Sequence, residues 1–246
     1  MPALAHLADA AIAETIAFAD LLDKLEPERR RSPTPCAEWT IDDLAAHVAS
    51  GAFRDAEAFH RARLGTSSPP GELAIENTDL AEAIRLGVNH LRGALDHAPS
   101  RWPIIPMPFG HYPAAAALQS LIIEFGVHHN DLAIAAGDTD APFTPTTLDA
   151  LFGFGELYLL LQAAPPATGP LCFTLVAPSK TMSITWAGST WTAGIGDAIV
   201  PHRTIAGSDD DVARLMLRRL EITHPRLELD DPAGIASLFA DAIRPL

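Results

Sequence analysis

Cysteine is nearly absent: Cys36 and Cys172 are the only two in 246 residues. A disulfide framework is therefore excluded as the basis of the fold, although one long-range pair is compatible with the sequence. Neither cysteine lies in a CxxC or CxxH pattern. Positive charge is scarce as well, with 17 Lys and Arg against 31 Asp and Glu, a formal net charge of −14. Such a surface repels phosphate backbones and anionic lipid, which argues against nucleic-acid and membrane-surface partners. No run of about 18 apolar residues is free of charge, so no membrane span is expected. The first twenty residues carry Asp9, Glu14 and Asp20 but no Lys or Arg. They do not read as a signal peptide, and a cytoplasmic protein is the expectation. Glycine-rich phosphate loops of the Walker or Rossmann kind are missing. No serine sits in a nucleophile-elbow pattern, and no internal repeat or low-complexity tract is evident.

What is present is a globular composition, 48% apolar and 20% charged. The length suits one large domain or two small ones. Apolar residues at three- and four-residue spacing predict a helix over 3–25. A basic, proline-punctuated loop over 27–37 follows. Thr40, with Asp42 and Asp43 behind it, opens a second helix to about Leu64. A third helix is predicted over 75–97. Residues 99–113 are proline-rich yet hold Trp102, Met107, Phe109, His111 and Tyr112, which suggests a loop packed as a lid. A fourth helix starts near Pro113 and ends near Gly137. A fifth covers 146–162. Four long helices and a fifth suggest an up-and-down bundle over 1–164.

The character changes after Ala163. Pro165, Pro166, Gly169 and Pro170 mark a boundary. Strands are predicted over 171–177, 181–186, 191–193 and 204–206. Ser208 with Asp209–Asp211 opens a helix through Leu220, and a final helix is predicted from Asp231-Pro232 to Ile243. The segment 165–246 thus reads as a small α+β domain.

Within the fourth helix Glu124 and His128 lie four residues apart and project from one face. They are flanked by Ile122, Ile123, Phe125 and Val127, and burying an unpaired carboxylate costs several kcal/mol. Two readings follow. Glu124 is a partly exposed acid and His128 a hydrogen-bonded core histidine; or the two hold a divalent ion, with His47 reaching across from the second helix as third ligand and a fourth position open. His129 projects about 100° round the helix from His128, a competing ligand with poorer spacing. Asp131 or Asn130 could orient a ligand, or both are solvated surface residues. Cys36 is a buried small hydrophobe or a nucleophile, with no base implied nearby. His60, His90, His97 and His111 read as ordinary, His111 having the best claim on a pocket. Arg218 and Arg219 are solvated helix residues, or one binds a substrate carboxylate.

Two segments carry a family resemblance. Ser32-Pro33-Thr34-Pro35-Cys36-Ala37-Glu38-Trp39-Thr40, continuing to His47, resembles the first signature of the mycothiol-dependent maleylpyruvate isomerase family, within the wider DinB-like metal-binding bundles. Glu124-Phe125-Gly126-Val127-His128-His129-Asn130-Asp131-Leu132 resembles its E-x-x-x-H-x-x-D-L signature. The stretch Gly207–Leu220 is similar to a segment that in relatives ends in Gly-Arg; Arg219 matches that Arg, and Arg218 stands where relatives often have Gly.

The resemblance implies a DinB-like four-helix bundle plus a fifth helix, followed by a sterol-carrier-like α+β domain. It implies a divalent ion, zinc above others, on His47, Glu124 and His128. Arg219 is implied as an anchor for an anionic substrate or thiol. The implied cofactor is mycothiol, whose thiolate adds to a small electrophile, giving isomerisation or S-transfer. Two other readings stay open: a hydrolase using metal-bound water, and a ligand-binding protein with a degenerate site.

Overall fold

The computed structural model describes the chain apart from residues 1, 37, 72–74, 76–78, 98–101, 167–168, 195–200, 232–233, 235–236 and 245–246. The chain divides into two compact units, Met1–Thr147 and Leu148–Leu246. The division falls in the first turn of the fifth helix, upstream of the proline-rich change from helix to strand at 165. None of the described helices is long and apolar enough to cross a membrane.

The first unit is built on four helices, α1 (Pro2–Asp23), α2 (Ile41–Arg63), α3 (Leu80–Asp96) and α4 (Ala114–Ala135), and α5 (Pro145–Gln162) begins at its end. Their starts are set by local chemistry. Thr40 and Asp43 cap α2 reciprocally, Asp43 N donating to Thr40 Oγ1 at 3.2 Å and Thr40 N to Asp43 Oδ2 at 2.9 Å, which satisfies two otherwise orphaned amides. Asp79 accepts from Glu82 N at 3.0 Å, so α3 starts at this cap and not at Ile75; residues 76–78 of the expected helix lie outside the described residues. Phe18, Leu22, Ile41, Leu44, Phe59, Ile84, Leu118 and Phe125 form the fully buried core of the bundle. Gly87 permits a close crossing of α2 and α3, since a Cβ there would stand 2.7 Å from that of Ala52.

The expected proline-rich loop is in part a hairpin, β1 (Ile105–Met107) paired antiparallel with β2 (Gly110–Tyr112). All of β1 is buried, and it packs on α2. The loop at 27–37 likewise holds one short 3₁₀ turn, Pro27–Arg31.

The second unit carries a mixed five-stranded sheet in the order β5-β4-β3-β6-β7. Strands β3 (Leu171–Val176), β4 (Thr181–Trp186) and β5 (Trp191–Ala193) form an antiparallel meander. Strand β6 (His202–Ala206) lies parallel to β3, and β7 (Glu228–Asp230) antiparallel to β6. Phe173, Met182, Ile184, Ile205, Leu215 and Phe239 are buried in its core. Gly155 of α5 belongs to this packing, because a Cβ there would meet the Met182 sulfur at 2.1 Å.

Two helix ends differ from the sequence expectation. Helix α6 (Asp209–Met216) stops short of Leu220. Arg218 N bonds Leu215 O at 3.1 Å and Arg219 N bonds Arg214 O at 2.7 Å, the paired closing bonds of a Schellman end. That geometry puts Arg218 at φ +61, where a side chain costs roughly 1 kcal/mol relative to glycine. Arg218 and Arg219 therefore follow the helix and are not surface residues on it. The last helix, α7, is only Leu238–Ala242. Asp231 is not helical, and Pro232, the other expected start residue, lies outside the described residues.

Candidate metal centre

The segment before α2 folds into a tight turn. Thr34 N bonds Trp39 O at 2.9 Å, Trp39 N bonds Cys36 O at 3.1 Å, and Ile41 N bonds Ser32 O at 3.0 Å. Thr34 Oγ1 reinforces it, accepting from Cys36 N at 3.2 Å and donating to Trp39 O at 3.1 Å. The turn passes through Glu38 at φ +69. Cys36 is thereby buried inside, and the Trp39 ring lies 4.8 Å from that of His47 and 6.2 Å from that of His128, centroid to centroid.

His47 and Glu124 meet across the α2–α4 seam, His47 Nε2 lying 2.8 Å from Glu124 Oε1. His128 presents Nε2 to the same oxygen at 3.7 Å. The donor atoms of these three residues all lie within 4.8 Å of one another. His128 is nearly closed off at 8% side-chain exposure, whereas His47 and Glu124 keep 31% and 29%. Ligands at roughly 2.0 Å around a tetrahedral ion stand about 3.3 Å apart, a value bracketed by the two imidazole–carboxylate distances. One carboxylate and two imidazoles form a donor set suited to zinc and its neighbours, so the residues fit a divalent ion.

The far side of His128 is also occupied. Its Nδ1 lies 3.4 Å from Asp131 Oδ2 and 3.9 Å from Cys36 Sγ. The Cys36 thiol donates to Asp131 at 3.1 Å. Cys36, His128 and Asp131 form a second grouping with metal-binding spacing, fully buried. A carboxylate so placed can fix the tautomer of an imidazole, which would leave His128 Nε2 available to a divalent ion.

The electrostatics of the pair are mutual. Burial works against charge on Glu124, but the hydrogen bonds and charges of His128 and His47 outweigh it and hold the carboxyl well below the usual range. Burial likewise works against a charged His128. Bonds to Asp131, Cys36 and Glu124 reverse the balance and raise its pKa well above the ordinary value. A divalent ion would displace that proton and take its place as the positive partner of Glu124.

His129 faces away from this cluster, its Nδ1 lying 3.4 Å from Glu14 Oε2 on α1. Asn130 is not solvated. It is 4% exposed, and its Nδ2 donates to Ala141 O at 2.6 Å. Asp131 is buried too, which removes the surface reading for both. Cys36 is buried as expected, but Asp131 and His128 stand beside it, which spacing in the sequence could not reveal. His111 Nε2 contacts Ser67 O at 2.9 Å, His97 Nδ1 contacts Gly93 O at 3.0 Å, and His90 Nε2 lies 3.3 Å from Glu57. Arg219 lies in the second unit and donates from Nη1 to Leu217 O at 3.4 Å.

A charged pair went unread in the sequence. Arg54 follows His47 by seven residues, two turns along the same face of α2. Its Nε lies 3.0 Å from Asp55 Oδ1, and Asp55 is 2% exposed. Burial pushes the Asp55 carboxyl up to about 6 against the pull of Arg54. The Arg54 guanidinium folds back over Gly51, where a Cβ would meet Nη2 at 3.7 Å and the Phe125 ring at 3.8 Å. The seven-residue spacing was the available signal.

A family model described as the mycothiol maleylpyruvate isomerase N-terminal domain matches residues 11–133, half of the chain. A 35-residue stretch is 51% identical to uncharacterized proteins of Mycobacterium tuberculosis strains CDC 1551 / Oshkosh and H37Rv, covering 14% of this chain and 19% of each of theirs. The match therefore spans about a fifth of the length of these relatives. The fold resembles the crystal structure of a mycothiol-dependent maleylpyruvate isomerase over 92% of both chains, with a TM-score of 0.67 and 18% identity. A histidine-to-alanine mutant of such an isomerase matches over the same 92%, with a TM-score of 0.66 and 17% identity.

Proposed function

The chain belongs to the mycothiol maleylpyruvate isomerase family, and from that premise we propose that it is a metal-dependent enzyme using mycothiol to isomerise a small electrophilic substrate. The observation that carries this reading is the meeting of His47, Glu124 and His128 donor atoms within 4.8 Å. A divalent ion held there would act as a Lewis acid that lowers the pKa of a thiol and makes it nucleophilic at neutral pH.

The residues of the chain divide the remaining work. His47 and Glu124, each about 30% exposed, form the accessible side of the site, toward which a thiol can approach. His128 forms its closed side, held by Asp131 so that Nε2 and not Nδ1 faces Glu124. Trp39 lies against both imidazoles and restricts water around them. Arg219, by its place after Gly207–Met216, is proposed to engage the anionic end of the substrate or thiol.

In the isomerisation, the thiol sulfur bonds to one alkene carbon and the π bond breaks, its electrons moving onto the substrate. Rotation about the resulting single bond follows. Expulsion of the same thiol restores the double bond, so no atom is gained or lost. The test is turnover of maleylpyruvate with a measured amount of mycothiol. Isomerisation requires mycothiol and leaves the thiol pool unchanged over many turnovers. Stoichiometric thiol consumption would mark S-transfer instead, and thiol-independent incorporation of water oxygen would mark hydrolysis and overturn the proposal.

A further inference from the structure

Arg218, in the second unit, is placed against its own chemistry. It occupies the left-handed position that closes α6, at φ +61, where glycine is the unstrained residue. Its Nε and Nη1 are sequestered from solvent with no hydrogen-bond partner among the described residues. A guanidinium cannot discharge itself by losing a proton, so it keeps a full charge there. Three acids of the second unit are paired with other arginines: Asp231 with Arg203, Asp210 with Arg214, and Asp211 with Arg226. Backbone strain and two sequestered, unpartnered guanidinium nitrogens thus coincide at one residue.

We propose that Arg218 is an anion-binding residue, and that its guanidinium takes a small oxyanion, the carboxylate or phosphate of a small molecule. The donors are planar and charged, which suits either group. This site deepens the substrate side of the proposed function, resting on that reading only for its link to turnover. Oxyanion binding itself requires neither metal nor thiol. Arg219, which follows it, supplies its Nη1 to Leu217 O, so the two arginines are not equivalent.

The experiment is thermal unfolding of the full chain titrated with maleate and, separately, with inorganic phosphate, against sodium chloride at matched ionic strength. Metal content is recorded for every sample, so failure of the metal reading leaves this test intact. Wild-type protein should show a saturable rise in Tm with at least one of the two, maleate assigning a carboxylate and phosphate a phosphate ester. Arg218→Gly should raise the ligand-free Tm by about 2–4 °C, because strain and unpaired charge both disappear. It should also weaken the anion by roughly tenfold or more. Arg218→Asn, which tolerates the same backbone conformation, should lose the anion response equally. The inference is overturned if Arg218→Gly responds to both anions as wild type does, or if wild type gives no saturable shift with either.

Discussion

The helical unit sets two glutamates against histidine, and they resolve the same electrostatic problem differently. Glu14 on α1 is 4% exposed and is bonded by the hydroxyls of Thr144, Thr146 and Thr147 as well as His129. Glu124 on α4 has no hydroxyl partner among the described residues; His47 and His128 face it, and its side chain keeps 29% exposure. Both carboxyls are held below their ordinary pKa against the effect of burial. His129 and three threonine hydroxyls together surround Glu14, and the hydroxyls tie α1 to the cap of α5, where Thr144 Oγ1 accepts from Thr147 N at 3.2 Å. Imidazoles give Glu124 partners that are themselves ligands and leave one side open. The set of partners and the exposure together separate a structural carboxylate from a candidate metal site.

Breaking the Glu124 side of the comparison should have the largest effect. His47→Ala is expected to reduce bound metal from about one divalent ion per chain to none and to abolish turnover, with the fold retained; elemental analysis and circular dichroism check both. Glu14→Ala should do the reverse. It removes the acceptor of three hydroxyls and lowers unfolding free energy by about 3 kcal/mol in denaturant titration, with metal content unchanged. Asp131→Asn weakens the support of His128 without removing a ligand. Metal affinity should fall by about 10–100-fold in a chelator competition, with little change in Tm.

The smallest effect concerns pH. The Glu14 carboxyl lies below its ordinary value of 4.5, so its contribution is present above that pH and is lost as pH falls through the lowered value. Glu14→Gln should therefore flatten the loss of stability below about pH 4.5 relative to wild type. Parallel acid limbs for the two proteins would show that Glu14 is not held as described.

The long helices were legible because their apolar spacing persists over several turns, and the caps at Thr40 and Ser208 are visible as residues. The elements missed or misjudged depend on partners distant in sequence. Three-residue strands such as β1, β2 and β7 exist only by pairing, and their segments carry no two-residue alternation long enough to notice. Helix α6 ends early because the chain closes it with Schellman bonds through an arginine, where the expected glycine signal is missing. At the site, the His47, Glu124 and His128 expectation came from helix spacing joined to two recognisable segments. The contact of Cys36 with Asp131 was not legible, since it joins residues 95 positions apart. Glu14 passed unnoticed because one acid on an amphipathic helix reads as solvated, and only the folded chain brings the threonines to it. Gly126 sits inside the second signature for packing: a Cβ there would stand 2.0 Å from Thr147 Oγ1.

The central claim is that His47, Glu124 and His128 hold an ion to which an external thiol gains access. X-ray absorption of the zinc-loaded protein tests it most directly, with Cys36→Ser used so that no protein thiol near His128 contributes sulfur. Zinc bound there should show a shell of nitrogen and oxygen near 2.0 Å alone, and one added sulfur near 2.3 Å when mycothiol is present. A zinc shell that stays free of sulfur at saturating mycothiol would contradict it.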